Sequence, residues 1–152
     1  WLGADGMESF VDLYERRADY VYFMCSRLEL DSDMAQRLTQ AVWRRVRRQL
    51  PQLAGKREEH WLCSKIIDVH RKFSRKVATD ESGKVAGLSE EQRLTSALMR
   101  LSLEFRWPLV LREFAGFDYD DIADIIGIPE GTVRARMGRA RALLNKYQEE
   151  QL

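Results

Sequence analysis

The chain has few of the residues that interrupt helices or cross-link loops. Its 152 residues include three prolines and two cysteines. Two cysteines provide no disulfide framework, and both are expected to be reduced core thiols. No apolar run approaches the length of a bilayer span, and no secretory pattern of basic, apolar and small residues opens the chain. We therefore expect a cytoplasmic protein without membrane insertion, with Met7 as its native start and residues 1–6 as an upstream remnant.

The chain also has little net charge, +1 at pH 7, but the charges are segregated along it. Residues 44–76 contain eleven Lys or Arg and three acids, a net charge of plus eight. Residues 102–130 contain seven acids and two arginines, a net charge of minus five. Such segregation is typical of a protein that contacts DNA through separate basic surfaces.

The sequence contains no recognisable set of catalytic residues. No nucleophile–base set and no glycine loop for phosphate is visible, so we predict neither an enzyme nor a cofactor. His60, Cys63 and His70 carry side chains that can bind zinc, but their spacing matches no usual zinc pattern. No metal site is therefore predicted.

The most informative segment is residues 117–144, FDYDDIADIIGIPEGTVRARMGRARALL. Asp118 is a good N-cap, and Asp121 places a second carboxylate in the first turn, where the helix dipole favours negative charge. Gly127 supplies the positive φ with which such a helix ends, and Pro129 suits the opening of the next helix. The segment therefore predicts a helix-turn-helix.

The second helix of this pair has one apolar side and one cationic side. Its apolar stripe repeats at spacings of four and three and comprises Val133, Met137, Ala140, Leu144 and Tyr147. Opposite this stripe, the small residues Ala135 and Gly138 would let the helix enter a major groove beside its arginines. A solvated basic face is the simpler interpretation. However, residues 131–147 carry no acid, whereas stability alone would favour mixed charges.

The remaining periodicities predict an all-α fold of two small helical lobes joined by a flexible linker. The first lobe, residues 7–76, is expected to have three helices, with apolar stripes over residues 10–28, 35–50 and 62–73. The linker is residues 77–88, which are small, polar and aperiodic. The second lobe, residues 89–150, is expected to have four helices. Ser89 and Gln92 form a capping box at its start, and Pro108 lies near the start of its second helix.

This order of parts resembles an extracytoplasmic-function (group 4) RNA polymerase sigma factor, with region 2, a linker and region 4. The strongest match, LVLREFAGFDYDDIADIIGIPEGTVRARMGRARALL, is similar to region 4 nearly residue for residue. The segments FVDLYERRADYVYFMCSRL, SDMAQRLTQAVWRRVRRQL and HWLCSKIIDVHRKFSRK are similar to region 2. The resemblance implies a protein that binds core RNA polymerase and promoter DNA and is held inactive by an anti-sigma factor.

The resemblance also implies roles for three groups of residues. Region 4 would read the minus-35 element through Arg134, Ala135 and Arg139 at base edges, Arg136 and Arg141 at phosphates, and Arg112 and Thr132 as further contacts. Region 2 would hold the minus-10 element through the loop at residues 54–60 and the helix after it, using Lys56, Arg57, Trp61, Lys65, Asp68, Arg71 and Lys72. Trp61 matches a family position that is more often core than a stacking platform. Core polymerase would meet Asp33, Gln36, Arg37 and Gln40.

Two departures from the family pattern leave an alternative open. Where the family commonly reads DAEDLTQEVF, this chain reads DMAQRLTQAVW, so Gln36, Arg37 and Ala41 replace acids that meet the polymerase. Asp68 replaces an asparagine near the flipped base, and a carboxylate beside DNA opposes binding unless it is paired. The alternative is a helix-turn-helix regulator whose first lobe binds a partner protein instead of polymerase.

Overall fold

The computed structural model describes residues 9–73 and 89–150, which contain seven α-helices and no strand. The helices are α1 (Phe10–Leu28), α2 (Ser32–Gln49), α3 (Glu58–Phe73), α4 (Glu90–Arg100), α5 (Leu103–Glu113), α6 (Tyr119–Ile126) and α7 (Glu130–Glu149). This confirms the all-α prediction. The predicted linker at 77–88 and Met7 lie outside the described residues. None of the described helices has the length and apolar content needed to cross a membrane.

The first lobe consists of α1, α2 and α3, and its apolar stripes largely follow the predicted spacing. In α2 the side chains of Ala35, Leu38, Val42 and Val46 are buried, and the helix ends at Gln49 before a short 3-10 turn containing Pro51. In α1 the buried stripe runs through Leu13, Val21, Met24, Cys25 and Leu28. Tyr14, which the stripe was expected to include, is 45% exposed. Its position at the edge of the stripe suits a side chain with one apolar and one polar end.

The start of α3 differs from the prediction. The loop expected at residues 54–60 is shorter, because the helix already begins at Glu58. Glu58 accepts hydrogen bonds from Arg16 (2.6 Å) and Arg17 (2.5 Å) of α1, and Glu59 accepts one from Arg17 (3.0 Å). Hydrogen bonding to Arg16 lowers the pKa of the Glu58 carboxyl. Two carboxylates in a first turn also favour helix initiation, so the two acids belong to the helix.

The second lobe consists of α4 to α7. Its capping box is present as predicted, with reciprocal hydrogen bonds between Ser89 and Gln92. Pro108 was expected near the start of α5 but lies at its sixth residue, inside the helix. Proline has no amide to donate to the carbonyl four residues earlier, so one internal hydrogen bond of α5 is missing. Within α7 the stripe of Val133, Met137 and Ala140 is buried, as predicted.

The two lobes pack against each other, with α1 contacting α4 and α5, and α3 contacting α6. Arg106 of α5 is buried at this junction. It donates hydrogen bonds to four carbonyls, those of Leu98 (3.0 Å), Met99 (2.9 Å), Leu101 (2.7 Å) and Leu28 (3.2 Å). Burial lowers the pKa of Arg106, while the nearby Glu29 charge opposes that shift. Since Leu28 ends α1, this one side chain ties the two lobes together.

A second buried contact joins the lobes at His70 of α3, which has no exposed surface. Its Nδ1 lies 2.8 Å from the indole nitrogen of Trp107, and its Nε2 lies 2.8 Å from a carboxylate oxygen of Glu29. An indole N–H only donates, so Nδ1 is the acceptor and Nε2 carries the proton given to Glu29. The tautomer of His70 is therefore fixed by the junction.

The turn of the helix-turn-helix requires Gly127, whose φ is +83°. A methyl group placed on Gly127 or on Gly138 meets no atom within 4 Å, so only backbone conformation decides the effect of alanine. We expect Gly127→Ala to lower the free energy of unfolding by about 1–2 kcal/mol. Gly138→Ala, in the middle of α7, should raise it by about 0.5–1 kcal/mol. Urea denaturation measures both, and shifts of the same sign would contradict the assigned turn.

Candidate nucleic-acid interface

The outward side of α7 presents the residues predicted to read DNA. Arg134, Ala135, Gly138 and Arg139 are all exposed, while Val133 and Met137 on the opposite side are 0% and 1% exposed. Ala135 and Gly138 leave the centre of this side shallow, and an arginine stands beside each of them. The helix therefore combines a fixed apolar seam with an open cationic surface, as the sequence predicted.

The two central arginines differ in their surroundings. Arg134 lies 2.8 Å from Glu130, one turn earlier, and its guanidinium stacks 4.8 Å from the ring centroid of Tyr119. That ion pair is exposed on both sides, so it contributes little and yields readily to a base or phosphate. Arg139 has no ion pair within the described part of the chain. Both guanidinium groups are available to a ligand.

The flanking arginines are oriented by neighbouring helices. Arg141 lies 3.0 Å from Glu113 of α5 and 3.5 Å from the Tyr119 hydroxyl, and the hydrogen bond to Glu113 raises its pKa. Arg136 is half-buried, with its guanidinium 4.0 Å from Glu104. These positions lie at the rim of the reading side, where phosphate groups of a bound duplex would pass.

Arg112 and Thr132 complete the predicted minus-35 group. Arg112 donates to the carbonyl of Phe117 (2.9 Å) and stacks 5.5 Å from the Tyr119 ring centroid. Thr132 is half-buried in the first turn of α7, and its amide bonds the Pro129 carbonyl at 3.0 Å. The structure therefore brings this group to one side of the second lobe.

The predicted minus-10 group is split between exposed and buried positions. Lys56 and Lys72 are exposed, whereas Trp61 is 3% exposed and belongs to the core of the first lobe. Lys65 donates to Gln52 at 3.0 Å, and its ammonium lies 5.3 Å from the Trp61 ring centroid. The Trp61 ring thus packs beneath the Lys65 ammonium and is too buried for a base to stack on it.

The other members of the minus-10 group meet the second lobe. Arg57 forms a bidentate salt bridge with the carboxylate of Asp121 in α6, in which Nη1 lies 3.2 Å from Oδ2 and Nη2 bonds Oδ1. Arg71 donates to the carbonyl of Ile126 at 3.0 Å, and Asp68 lies 3.7 Å from Arg71. Two cations predicted to touch DNA are therefore held by α6. Sequence reasoning gave no signal of this, because the pairing joins residues more than fifty positions apart.

The four residues predicted to meet core polymerase, Asp33, Gln36, Arg37 and Gln40, are all exposed on α2. Beyond Gln40 the same helix borders a shallow groove lined by Phe10, Tyr14, Trp43, Arg44 and Arg47 among others. The Trp43 ring centroid lies 5.9 Å from Phe10 and 4.9 Å from Tyr14, with both rings edge-on. Phe10 and Tyr14 lie within the apolar stripe predicted over residues 10–28, and that periodicity gave no sign of an aromatic groove.

Cys25, Cys63 and His70 belong to no group of possible metal ligands among the residues that the structure describes. Cys25 and Cys63 are free and buried, and burial raises the pKa of each thiol to about 12, which keeps both protonated at neutral pH. His60 instead lies near Asp121 and Asp124, with possible ligand atoms within 4.8 Å of one another. Since Arg57 already occupies Asp121, we assign no metal to this group.

Comparison with known proteins finds a family match in the second lobe. Residues 91–144 match the family described as Sigma-70, region 4. The ECF RNA polymerase sigma factor SigE of Mycolicibacterium smegmatis is 29% identical over 93% of this chain and 62% of its own length. The RNA polymerase sigma-H factor of Pseudomonas aeruginosa is 41% identical over 43% of this chain and 35% of its own length. The chain thus spans less than two thirds of these curated relatives.

Two solved structures share the fold across both lobes. The sigma factor RpoE of Bartonella quintana, in complex with the anti-sigma factor NepR, has a TM-score of 0.76 at 22% identity, covering 92% of this chain and 96% of its own. CnrH, in complex with the cytosolic domain of CnrY, has a TM-score of 0.71 at 20% identity, covering 93% and 88%. The resemblance drawn from the sequence is confirmed: the chain is similar to extracytoplasmic-function RNA polymerase sigma factors, and residues 91–144 of its second lobe match sigma-70 region 4.

Proposed function

We propose that the protein is an RNA polymerase sigma factor that binds core enzyme and directs promoter-specific initiation. The observation that carries the proposal is the exposed cationic side of α7, which has no acid between residues 131 and 147 and lies opposite a buried apolar stripe within a helix-turn-helix. A side chain set of this kind fits a major groove, because small residues allow close approach and guanidinium groups fork onto guanine edges. The match of residues 91–144 to sigma-70 region 4 supports the same assignment.

In this proposal the second lobe reads the minus-35 element. Arg134 and Arg139 contact base edges beside Ala135, and Arg136 and Arg141 hold phosphates on either side. Arg112 and Thr132 add contacts at the rim. Base contacts specify the sequence and phosphate contacts fix the register of the helix in the groove.

The first lobe holds the minus-10 element in this proposal. Lys56, Arg57, Lys65 and Lys72 provide the cations for a displaced strand, and electrostatic grooves of this kind track a backbone without reading it. Asp68 would oppose DNA if unpaired, but Arg71 lies 3.7 Å from it and offsets its charge. Trp61 serves the site as a buried support.

The α2 surface of Asp33, Gln36, Arg37 and Gln40 is the proposed contact with core polymerase. Asp33 is the single acid of α2, whose sequence carries five arginines. This basic composition favours the alternative function, a helix-turn-helix regulator whose first lobe binds another protein. The two functions differ in whether the chain acts together with polymerase.

Transcription with purified bacterial core enzyme tests the proposal. We expect the full chain to capture core subunits from a lysate and to direct initiation from a selected promoter. Asp33→Asn should weaken capture, because it removes the remaining acid of the contact, whereas Asp19→Asn on the exposed side of α1 should not. Sequence-specific duplex binding without core capture or a transcript would establish the regulator instead.

An anti-sigma partner belongs to the same proposal. RpoE of Bartonella quintana shares the fold and was solved in complex with the anti-sigma factor NepR. We expect a protein encoded beside this one to block core capture when the two are mixed. Equal transcription in cells with and without every neighbouring gene product would contradict the partner.

A further inference from the structure

The acidic helix α6 covers part of the surface proposed to hold the minus-10 element. We propose that α6 acts as an internal phosphate mimic: in the free chain it occupies Arg57 and Arg71, and single-stranded DNA gains these two cations only after α6 leaves α3. This inference rests on the DNA-binding role proposed for the first lobe. It concerns the chain by itself, before any partner binds.

The contact at Arg57 has the form of a phosphate contact. Both terminal nitrogens of the guanidinium face both carboxylate oxygens of Asp121, the planar fork that arginine also uses for phosphate. Asp118 and Asp124 of the same segment add negative charge near Arg57, and hydrogen bonding to Asp121 raises the pKa of Arg57. A nucleic acid must therefore compete with a local group of three carboxylates for this cation.

The contact at Arg71 uses the other end of α6. Its guanidinium donates to the carbonyl of Ile126, the last residue of the helix, and stacks 5.2 Å from the ring centroid of Trp107. Carbonyls in the last turn of a helix lack internal donors and carry partial negative charge. Thus α6 presents a carboxylate to one arginine and its negative end to the other.

The covering helix is held in place by the buried junction between the lobes. Arg106 bonds the Leu28 carbonyl of the first lobe, and Trp107 bonds His70. Edge-on packing of His60 against Phe117, with centroids 6.0 Å apart, fixes the segment just before α6. Parting the lobes would break these hydrogen bonds and expose the packed rings to water, so the closed arrangement is favoured in the free chain.

The reading side of α7 is not covered by this arrangement. The carboxylate partner of Arg134 is Glu130 of its own helix, and Arg139 has no ion pair in the described part of the chain, whereas Arg57 and Arg71 bind α6. The free chain should therefore bind duplex through α7 while its first lobe binds single-stranded DNA weakly.

Two double variants, each of which removes two negative charges, test whether α6 blocks Arg57 and Arg71. Asp121→Asn with Asp124→Asn removes two carboxylates facing α3, whereas Glu149→Gln with Glu150→Gln removes two at the far end of α7. The probe is a labelled single-stranded oligonucleotide pool of random sequence, with binding measured by fluorescence anisotropy. We expect the first variant to bind about three- to tenfold more tightly than wild type, because a larger fraction of chains is competent. The second should stay within about twofold.

A third variant assigns the gain to Arg57. Adding Arg57→Ala to the α6 double variant should remove most of the gain and leave only the part that Arg71 contributes. Equal gains in both double variants, or a gain that Arg57→Ala leaves undiminished, would overturn the proposal. Transcription by the wild-type chain with core enzyme tests the proposed function separately. A sigma factor whose α6 does not block Arg57 would transcribe but show no gain in the α6 variant. A chain whose α6 blocks Arg57 but which is not a sigma factor would show the gain without a transcript.

Discussion

Replacing Arg106 by methionine is expected to lower the free energy of unfolding by about 3 kcal/mol. Methionine keeps much of the apolar stem but removes the guanidinium donors from all four carbonyls, of which only that of Leu98 also accepts a backbone hydrogen bond within the described residues, from the Leu101 amide. Those carbonyls lie in a buried site, and each unsatisfied acceptor carries its own desolvation cost. Urea denaturation followed by circular dichroism gives the difference.

The matched control for this substitution is Arg37→Met on the exposed side of α2. It makes the same chemical change at a position without buried partners, so it should alter stability by less than about 0.5 kcal/mol. A loss at Arg106 no larger than at Arg37 would mean that water replaces the guanidinium. The hydrogen bonds of Arg106 would then not stabilise the junction between the lobes.

Replacing Arg139 by alanine is expected to cost about 1–3 kcal/mol of binding to a duplex selected from a random pool, and to relax preference at one base pair. Arg139 has no ion pair in the described part of the chain, so its guanidinium is free to fork onto a base edge. Fluorescence anisotropy against the selected duplex and its single-site variants measures both effects.

Arg141→Ala is the comparison for Arg139→Ala. Arg141 is held at the rim by Glu113 and Tyr119, so its loss should weaken all duplexes evenly. It should also reduce the slope of log affinity against log salt by about 1, since one phosphate contact disappears. If both variants lost affinity evenly and changed the salt slope alike, the separate roles of the two arginines would be wrong.

Much of the second lobe was predictable from local chemistry. Ser89 and Gln92 form their capping box, Gly127 adopts the positive φ that ends α6, and Val133 with Met137 lies inside. Each of these features depends on neighbours within four residues. The conformational preference and the apolar spacing therefore agree before any tertiary contact forms.

The junction between the lobes was not predictable in this way. Arg106 lies in an acidic segment, and nothing nearby in sequence marks it as buried. Its acceptor at Leu28 and the His70–Trp107 bond come from distant segments. Pro108 was predicted near the start of α5 but lies inside the helix. Its side chain is buried there, and α5 tolerates the one missing backbone hydrogen bond. Long-range packing overrides local preference at these positions.

Helix α6 contacts α5 and α7 within the second lobe, while its Asp121 and Asp124 face α3. If parting α3 from α6 is what frees Arg57, thermodynamic coupling must run in both directions. A molecule that binds only the parted form raises the affinity of Arg57 for single strands by some factor. Single strands then raise the affinity for that molecule by the same factor, so docking of such a partner and strand capture would reinforce each other without direct contact.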